Sequence, residues 1–112
     1  MDNCLFCKIA AGEIPSSKVY EDDICLAFND IDPQAPVHFL VIPKAHIGSV
    51  AEIGAENSAV VAHIFEVISK VTKQLGVESY RVGSIIGEQA GQSVPHLHFH
   101  VLSGRDMTWP PG

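Results

Sequence analysis

Pro95-His96-Leu97-His98-Phe99-His100-Val101-Leu102 places three histidines at alternate positions with apolar residues between them. Alternation of this kind is the period of a half-buried β-strand, on which side chains two apart share a face. Leu97, Phe99 and Val101 are therefore assigned to a core, and His96, His98 and His100 to a cavity on the opposite side. Three of the chain's six histidines fall in this one run, directly after a glycine-bearing loop, and a merely polar strand face does not explain such clustering. Imidazole has an ordinary pKa of about 6.5, so near neutral pH it serves as nucleophile, proton carrier or metal ligand.

Working outward from this strand, the rest of the chain reads as one set of short elements without repeats or linkers. A short helix is predicted over 6–11, stopped by Gly12 and Pro15. Strands over 18–21 and 24–28 form a hairpin about the Asp22-Asp23 turn. Another strand over 37–42 is closed by Pro43, with His38, Leu40 and Ile42 on one side and Val37, Phe39 and Val41 on the other. The apolar positions Val60, Val61, Ile64, Val67, Ile68, Val71 and Leu75 follow helical spacing over 58–75, with Gly76 just past the end. His63 lies toward the polar flank of that helix, beside Glu66, Lys70 and Lys73, and reads as solvated. A fourth strand is predicted over 80–86, a loop over 87–93 and a fifth strand over 96–102. The expected fold is α+β: an antiparallel sheet of about five strands with one long and one short helix packed to one side.

Composition narrows the function classes. The 112 residues are 46% hydrophobic and 18% charged, which fits a single folded domain over 1–112 rather than a disordered chain. Seven Lys and Arg stand against thirteen Asp and Glu, for a net charge of −6. Scattered bases and this charge argue against a nucleic-acid polymer as partner, while a small phosphorylated ligand needs only backbone N–H groups and a few histidines. The start, Met1-Asp2-Asn3-Cys4, has no charged leader before an apolar core, and no stretch approaches the roughly twenty apolar residues of a membrane span. A cytoplasmic protein without membrane attachment is expected. The three cysteines, two of them as Cys4-x-x-Cys7, read as reduced thiols or metal ligands rather than a disulfide framework. Cys25 reads as core.

Gly91-Gln92-Ser93-Val94 leads directly into the histidine run, so its backbone N–H groups and the Ser93 hydroxyl are expected to point at a phosphate lying over the imidazoles. The central His98 is the expected nucleophile, taking a phosphoryl or nucleotidyl group onto one ring nitrogen while the other donates to a backbone carbonyl. His100 or His96 would protonate the leaving group.

His96-Leu-His98-Phe-His100-Val-Leu resembles the motif of the histidine triad (HIT) family, His-φ-His-φ-His-φ-φ with φ apolar. Phe6-Cys7-Lys8-Ile9, Glu13-Ile14-Pro15, Asp30-Ile31-Asp32-Pro33-Gln34-Ala35-Pro36, His38-Phe39-Leu40-Val41-Ile42-Pro43-Lys44 and Trp109-Pro110-Pro111-Gly112 look like its Hint branch. The resemblance implies a HIT-like fold whose sheet continues across a homodimer. It further implies a purine-nucleotide-binding hydrolase that cleaves nucleoside 5′-phosphoramidates, and related adenylates, through a nucleotidyl-histidine. AMP or GMP would be its mononucleotide ligands. By the same resemblance His98 attacks phosphorus, Ser93 and His100 contact the phosphate and leaving group, and His38 lines the pocket and supports the triad. Asp30 would hold the ribose hydroxyls beside Ile31, with Phe6, Gly91, Gln92 and Val94 around the nucleotide and Trp109 reaching the partner's site.

The resemblance also supplies partners for the paired cysteines: Cys4, Cys7, His46 and His96 would form a closed structural zinc site, with no organic cofactor. His96 as a ligand could not then serve as proton donor. This chain departs from the family pattern at Ile85, where asparagine that holds the phosphate is common, and at Asn29 and Asp32, where histidine and serine are common. Two other readings stand beside the phosphoramidase. One is a nucleotide-sensing or partner-binding regulatory module with residual hydrolysis, which Ile85 favours; the other is a dinucleoside polyphosphate hydrolase or nucleotidyl transferase.

Overall fold

In the computed structural model, which describes residues 3–112, α1 (Leu5–Ala10) leads into the hairpin of β1 (Lys18–Glu21) and β2 (Cys25–Asn29). Then come β3 (Val37–Pro43), the long α2 (Ser58–Gln74), β4 (Arg81–Gly83) and β5 (Phe99–Ser103). The five strands form one sheet in the order β1-β2-β3-β5-β4, every pair antiparallel. No helix among the described residues is long and apolar enough to cross a membrane.

The expected alternation on β3 divides the core in two. Phe39 and Val41 pack with Ile64, Val67, Ile68 and Val71 of α2, and Leu97, Phe99 and Val101 join them. Leu40 and Ile42 face the other way, against Leu26, Phe28 and the Phe6 and Ile9 of α1. The two helices thus cover opposite faces of the sheet, which corrects the expectation that both lie on one side. The cause is in the central strands, where Cys25-Leu26-Ala27-Phe28 and 38–43 are buried at every position. Strands apolar on both faces need cover on both.

Helix ends follow the punctuation. At the end of α2, Leu75 is the cap and Gly76 takes φ +72°. Val77 N–H donates to Thr72 O and Gly76 N–H to Lys73 O, the paired bonds of a Schellman closure. Leu75, expected on the apolar face, is 51% exposed. Thr72 goes inside instead, with its hydroxyl donating to Ile68 O.

Asp22 organises the hairpin turn. Its Oδ1 accepts from Ile24 N–H and Cys25 N–H, and its Oδ2 from the Tyr20 hydroxyl. His63 Nε2 lies 2.7 Å from the same Oδ2, so this histidine is half-buried and clasps α2 to the hairpin rather than standing solvated. Burial alone would raise the Asp22 pKa. The hydrogen bonds from Cys25, His63, Ile24 and Tyr20 outweigh it and hold the carboxyl well below the usual range.

β4 and β5 are shorter than expected. The last β4–β5 pair is Gly83 with His100, after which the Ser84 hydroxyl donates to His98 O; Ile85 and Ile86 leave the ladder. On the other side β3 ends at Pro43, which has no N–H to extend the pairing. Leu97 N–H turns to Ile47 O, and the regular strand begins only at Phe99.

Candidate active site

Although His96 and His98 precede the regular strand, the parity of the run holds. All three imidazoles lie on the α1 face, the Phe6 ring standing edge-on to His96 and His98 at 5.9 and 5.1 Å, and His98 is 5.1 Å from His100. Their surroundings then separate them.

His98 Nδ1 is 2.7 Å from His96 O. A carbonyl only accepts, so Nδ1 carries the proton and Nε2 keeps a free lone pair. His100 is fixed by a longer chain. Gln34 N–H donates to His38 Nδ1, which therefore carries its proton on Nε2, 2.9 Å from His100 Nδ1. The His100 proton is then on Nε2. Burial, reinforced by His98 and His38 and opposed by Asp30, pushes the His100 pKa down to about 4. Near neutral pH the ring of the free protein is therefore neutral and presents Nε2–H as a hydrogen-bond donor.

His98 and His100 open on a cavity of about 360 Å³. One wall is apolar, built by Leu5, Phe6 and Ile9 of α1 with Phe28 and Leu40 of the sheet; Asp30 and Ser93 supply polar groups. Ile31, fully exposed, stands at the mouth, and Ile85, Gly91 and Val94 complete the lining. Among the described residues no Lys or Arg takes part. Of the residues expected here, Phe6, Asp30, Ile31, Gly91, Ser93, Val94, His98 and His100 are brought together. His38 is not a lining residue: it is buried behind His100, with Asp30 Oδ2 at 3.4 Å. Trp109 is 85% exposed, away from this cavity. Asn29, bonded to Ser17, and Asp32 do not line it either.

The loop before the triad is held by itself. Gly91, at φ +104°, donates to Glu88 O, and Gln92 N–H donates to Gly87 O. The Gln92 side chain turns away from the cavity, its amide reaching Gly48 O and Val94 O and its oxygen accepting from Gly87 N–H. Gly91 and Gln92 therefore have no N–H left for a phosphate, contrary to expectation. Those of Ser93 and Val94, unpaired among the described residues, remain.

His96 is wholly buried and belongs to a second group. Its Nε2–H donates to Pro43 O at 2.9 Å, which leaves Nδ1 unprotonated, 3.3 Å from Cys4 Sγ and 3.5 Å from Cys7 Sγ. His46 Nδ1 is 3.2 Å from Cys7 Sγ. The four ligand atoms lie within 4.8 Å of one another. A tetrahedral ion bound by two sulfurs and two nitrogens requires S···N separations of about 3.5 Å, so the donor set fits zinc. Burial and the Cys4 thiol push the Cys7 pKa up, and two thiolates coexist there only with a cation between them.

Sequence reasoning missed Leu5, Ile9, Phe28 and Leu40 as cavity residues. The signal was present in α1, whose apolar Leu5, Phe6 and Ile9 share one helical face, and in the unbroken apolar run of β2.

The family profile described as scavenger mRNA decapping enzyme C-terminal binding matches residues 3–109. A HIT-like protein of Synechococcus elongatus is 47% identical over 112 residues, covering 99% of this chain and 98% of its own. Protein pkiA of Dictyostelium discoideum is 43% identical, covering 96% and 88%. Among solved structures, a HIT family hydrolase from Legionella pneumophila superposes with a TM-score of 0.95 at 47% identity, over 98% of this chain and 100% of that one. A histidine triad protein from Clostridium difficile gives 0.92 at 50% identity, over 96% and 95%. With likeness running the length of the chain in sequence and fold, the protein belongs to the histidine triad (HIT) family.

Proposed function

We propose that this chain is a purine nucleotide-binding hydrolase that cleaves nucleoside 5′-phosphoramidates, and related adenylates, through a nucleotidyl-histidine. The observation that carries the reading is His98, whose Nδ1–H is engaged by His96 O while Nε2 keeps its lone pair beside the cavity. His98 Nε2 attacks phosphorus, the P–N bond to the amine breaks, and the amine leaves with a proton from water at the open mouth. A second water attacks the same phosphorus, the P–N bond to His98 breaks, the nucleoside monophosphate departs, and the proton that this water loses neutralises the hydroxide left by the first. His100 Nε2–H and the Ser93 hydroxyl donate to the phosphate oxygens, whose charge grows in each transition state. Asp30 accepts from the ribose hydroxyls, and the apolar wall of Leu5, Phe6 and Phe28 holds the purine.

Cys4, Cys7, His46 and His96 would hold a structural zinc in this reading, which ties the segments together and does not touch the substrate. The chain works as a single cytoplasmic domain in a homodimer, with the sheet continued across it and Trp109 reaching the partner's site. A dinucleoside polyphosphate is a poorer substrate on charge grounds, because among the described residues no Lys or Arg lines the cavity and Asp30 does.

One observation favours a regulatory nucleotide sensor with residual hydrolysis: Ile85 offers the cavity a hydrocarbon surface and no hydrogen bond to phosphate. Turnover of adenosine 5′-phosphoramidate separates the two. His98→Asn should lose on the order of 10⁴-fold or more in kcat. Equal rates for variant and wild type would sink the covalent mechanism.

A further inference from the structure

The Cys4–Cys7–His46–His96 group and the nucleophile share one residue. His96 uses its ring on the group, with Nδ1 toward both sulfurs and Nε2–H on Pro43 O, while its backbone oxygen accepts the Nδ1–H of His98 at 2.7 Å. The same carbonyl therefore sets which nitrogen of His98 is free. A backbone shift of about 1 Å that carries the His96 carbonyl beyond hydrogen-bond reach removes that restraint and lets His98 populate its other tautomer, in which Nε2 is protonated and cannot attack.

Further contacts join the two places. His46 and Ile47 form a rail along which the triad segment is docked: Leu97 N–H donates to Ile47 O, and the His46 and His96 rings meet edge-on at 5.0 Å. Cys4 is the N-cap of α1, with its sulfur accepting from Cys7 N–H. The next residues of that helix, Leu5 and Phe6, are the cavity wall, and the Phe6 ring lies against both His96 and His98. An ion bound by the four ligands would thus fasten the wall, the rail and the orienting carbonyl at one point.

We propose that Cys4, Cys7 and His46 are positioning residues for the nucleophile, acting through His96, so that metal occupancy sets the His98 tautomer and is coupled to nucleotide binding. The inference rests on the assignment of His98 as nucleophile. Coupling of this kind is reciprocal in binding free energy.

Imidazole ¹⁵N NMR on the zinc-loaded protein and on the same protein stripped with a chelator reads the His98 tautomer without substrate or turnover. The loaded protein should hold His98 as the Nδ1–H tautomer, and stripping should produce a mixture. Because the Leu5–Phe6 wall loses its anchor, AMP affinity should fall on stripping by about 5-fold or more, and saturating AMP should raise zinc affinity by the same factor. If stripping unfolds the chain by circular dichroism, His46→Gln supplies the comparison, since it removes a half-buried ligand outside both α1 and the triad segment. An unchanged tautomer with unchanged AMP affinity overturns the proposal, as does a protein that takes up no zinc. A zinc-dependent tautomer in a protein that never cleaves phosphoramidate upholds the coupling and overturns only the proposed reaction.

Discussion

His38 Nε2 stands 2.9 Å from His100 Nδ1, and the relation is directional because Gln34 N–H occupies the other nitrogen of His38. A backbone amide two residues beyond Asp32 therefore decides which nitrogen of His100 presents a proton to the cavity. His38 touches His100 and is not among the residues that line the cavity.

His38→Ala should accordingly lower kcat more than it weakens binding. Loss of the tautomer restraint misorients a donor used in the transition state, and a misplacement of that kind costs about 10- to 100-fold. Steady-state kinetics on a phosphoramidate, set beside calorimetric AMP binding, gives the two quantities separately.

The depressed pKa of His100 makes stability pH-dependent. Its folded value of about 4 lies below the ordinary 6.5, so the unfolded chain binds the extra proton first. The contribution is whole above about pH 6.5 and is lost as pH falls through about 4. Denaturation midpoints should drop across that window in the wild type and drop less in His100→Gln.

Asp22→Ala should destabilise the fold without touching the cavity. It removes the acceptor for Ile24 N–H, Cys25 N–H, Tyr20 and His63 together, at a cost of about 1–3 kcal/mol. His63→Ala removes one of these contacts and should cost about 1 kcal/mol. Urea titrations measure both, and AMP affinity should stay unchanged in each.

Ile85→Asn adds a polar group to a cavity that lacks one at this position. One new hydrogen bond to phosphate, about 1 kcal/mol, corresponds to about fivefold tighter AMP binding. No gain in affinity would mean that the side chain does not reach the phosphate.

Much of this is legible in the sequence, because period-2 alternation assigns faces independently of strand pairing. Leu97, Phe99 and Val101 entered the core and the histidines the opposite face even though pairing starts only at Phe99. Strand ends were less legible, since they depend on a neighbour: Pro43 truncates β5 from across the sheet, and Ser84 replaces a ladder bond with a side chain. The second apolar face of the sheet is visible in Leu26-Ala27-Phe28, a run with no polar position that needs cover on both sides, and α1 supplies the second cover. His63 was misread because its partner lies 41 residues away in the hairpin turn. The same distance problem applies to one part of the triad. Spacing singled out the central His98 and resemblance placed His96 with the cysteines, whereas the link from His100 to His38 and Gln34 shows only in the contacts.

The most direct test is rapid-quench mass spectrometry of the protein mixed with adenosine 5′-phosphoramidate. Because His96, His98 and His100 share one tryptic peptide, fragmentation must locate the adduct. A transient adenylyl group on His98 that decays as AMP appears is the expected result. Product formed with no adduct at any time, or with an adduct on another residue, would contradict nucleophilic attack by His98.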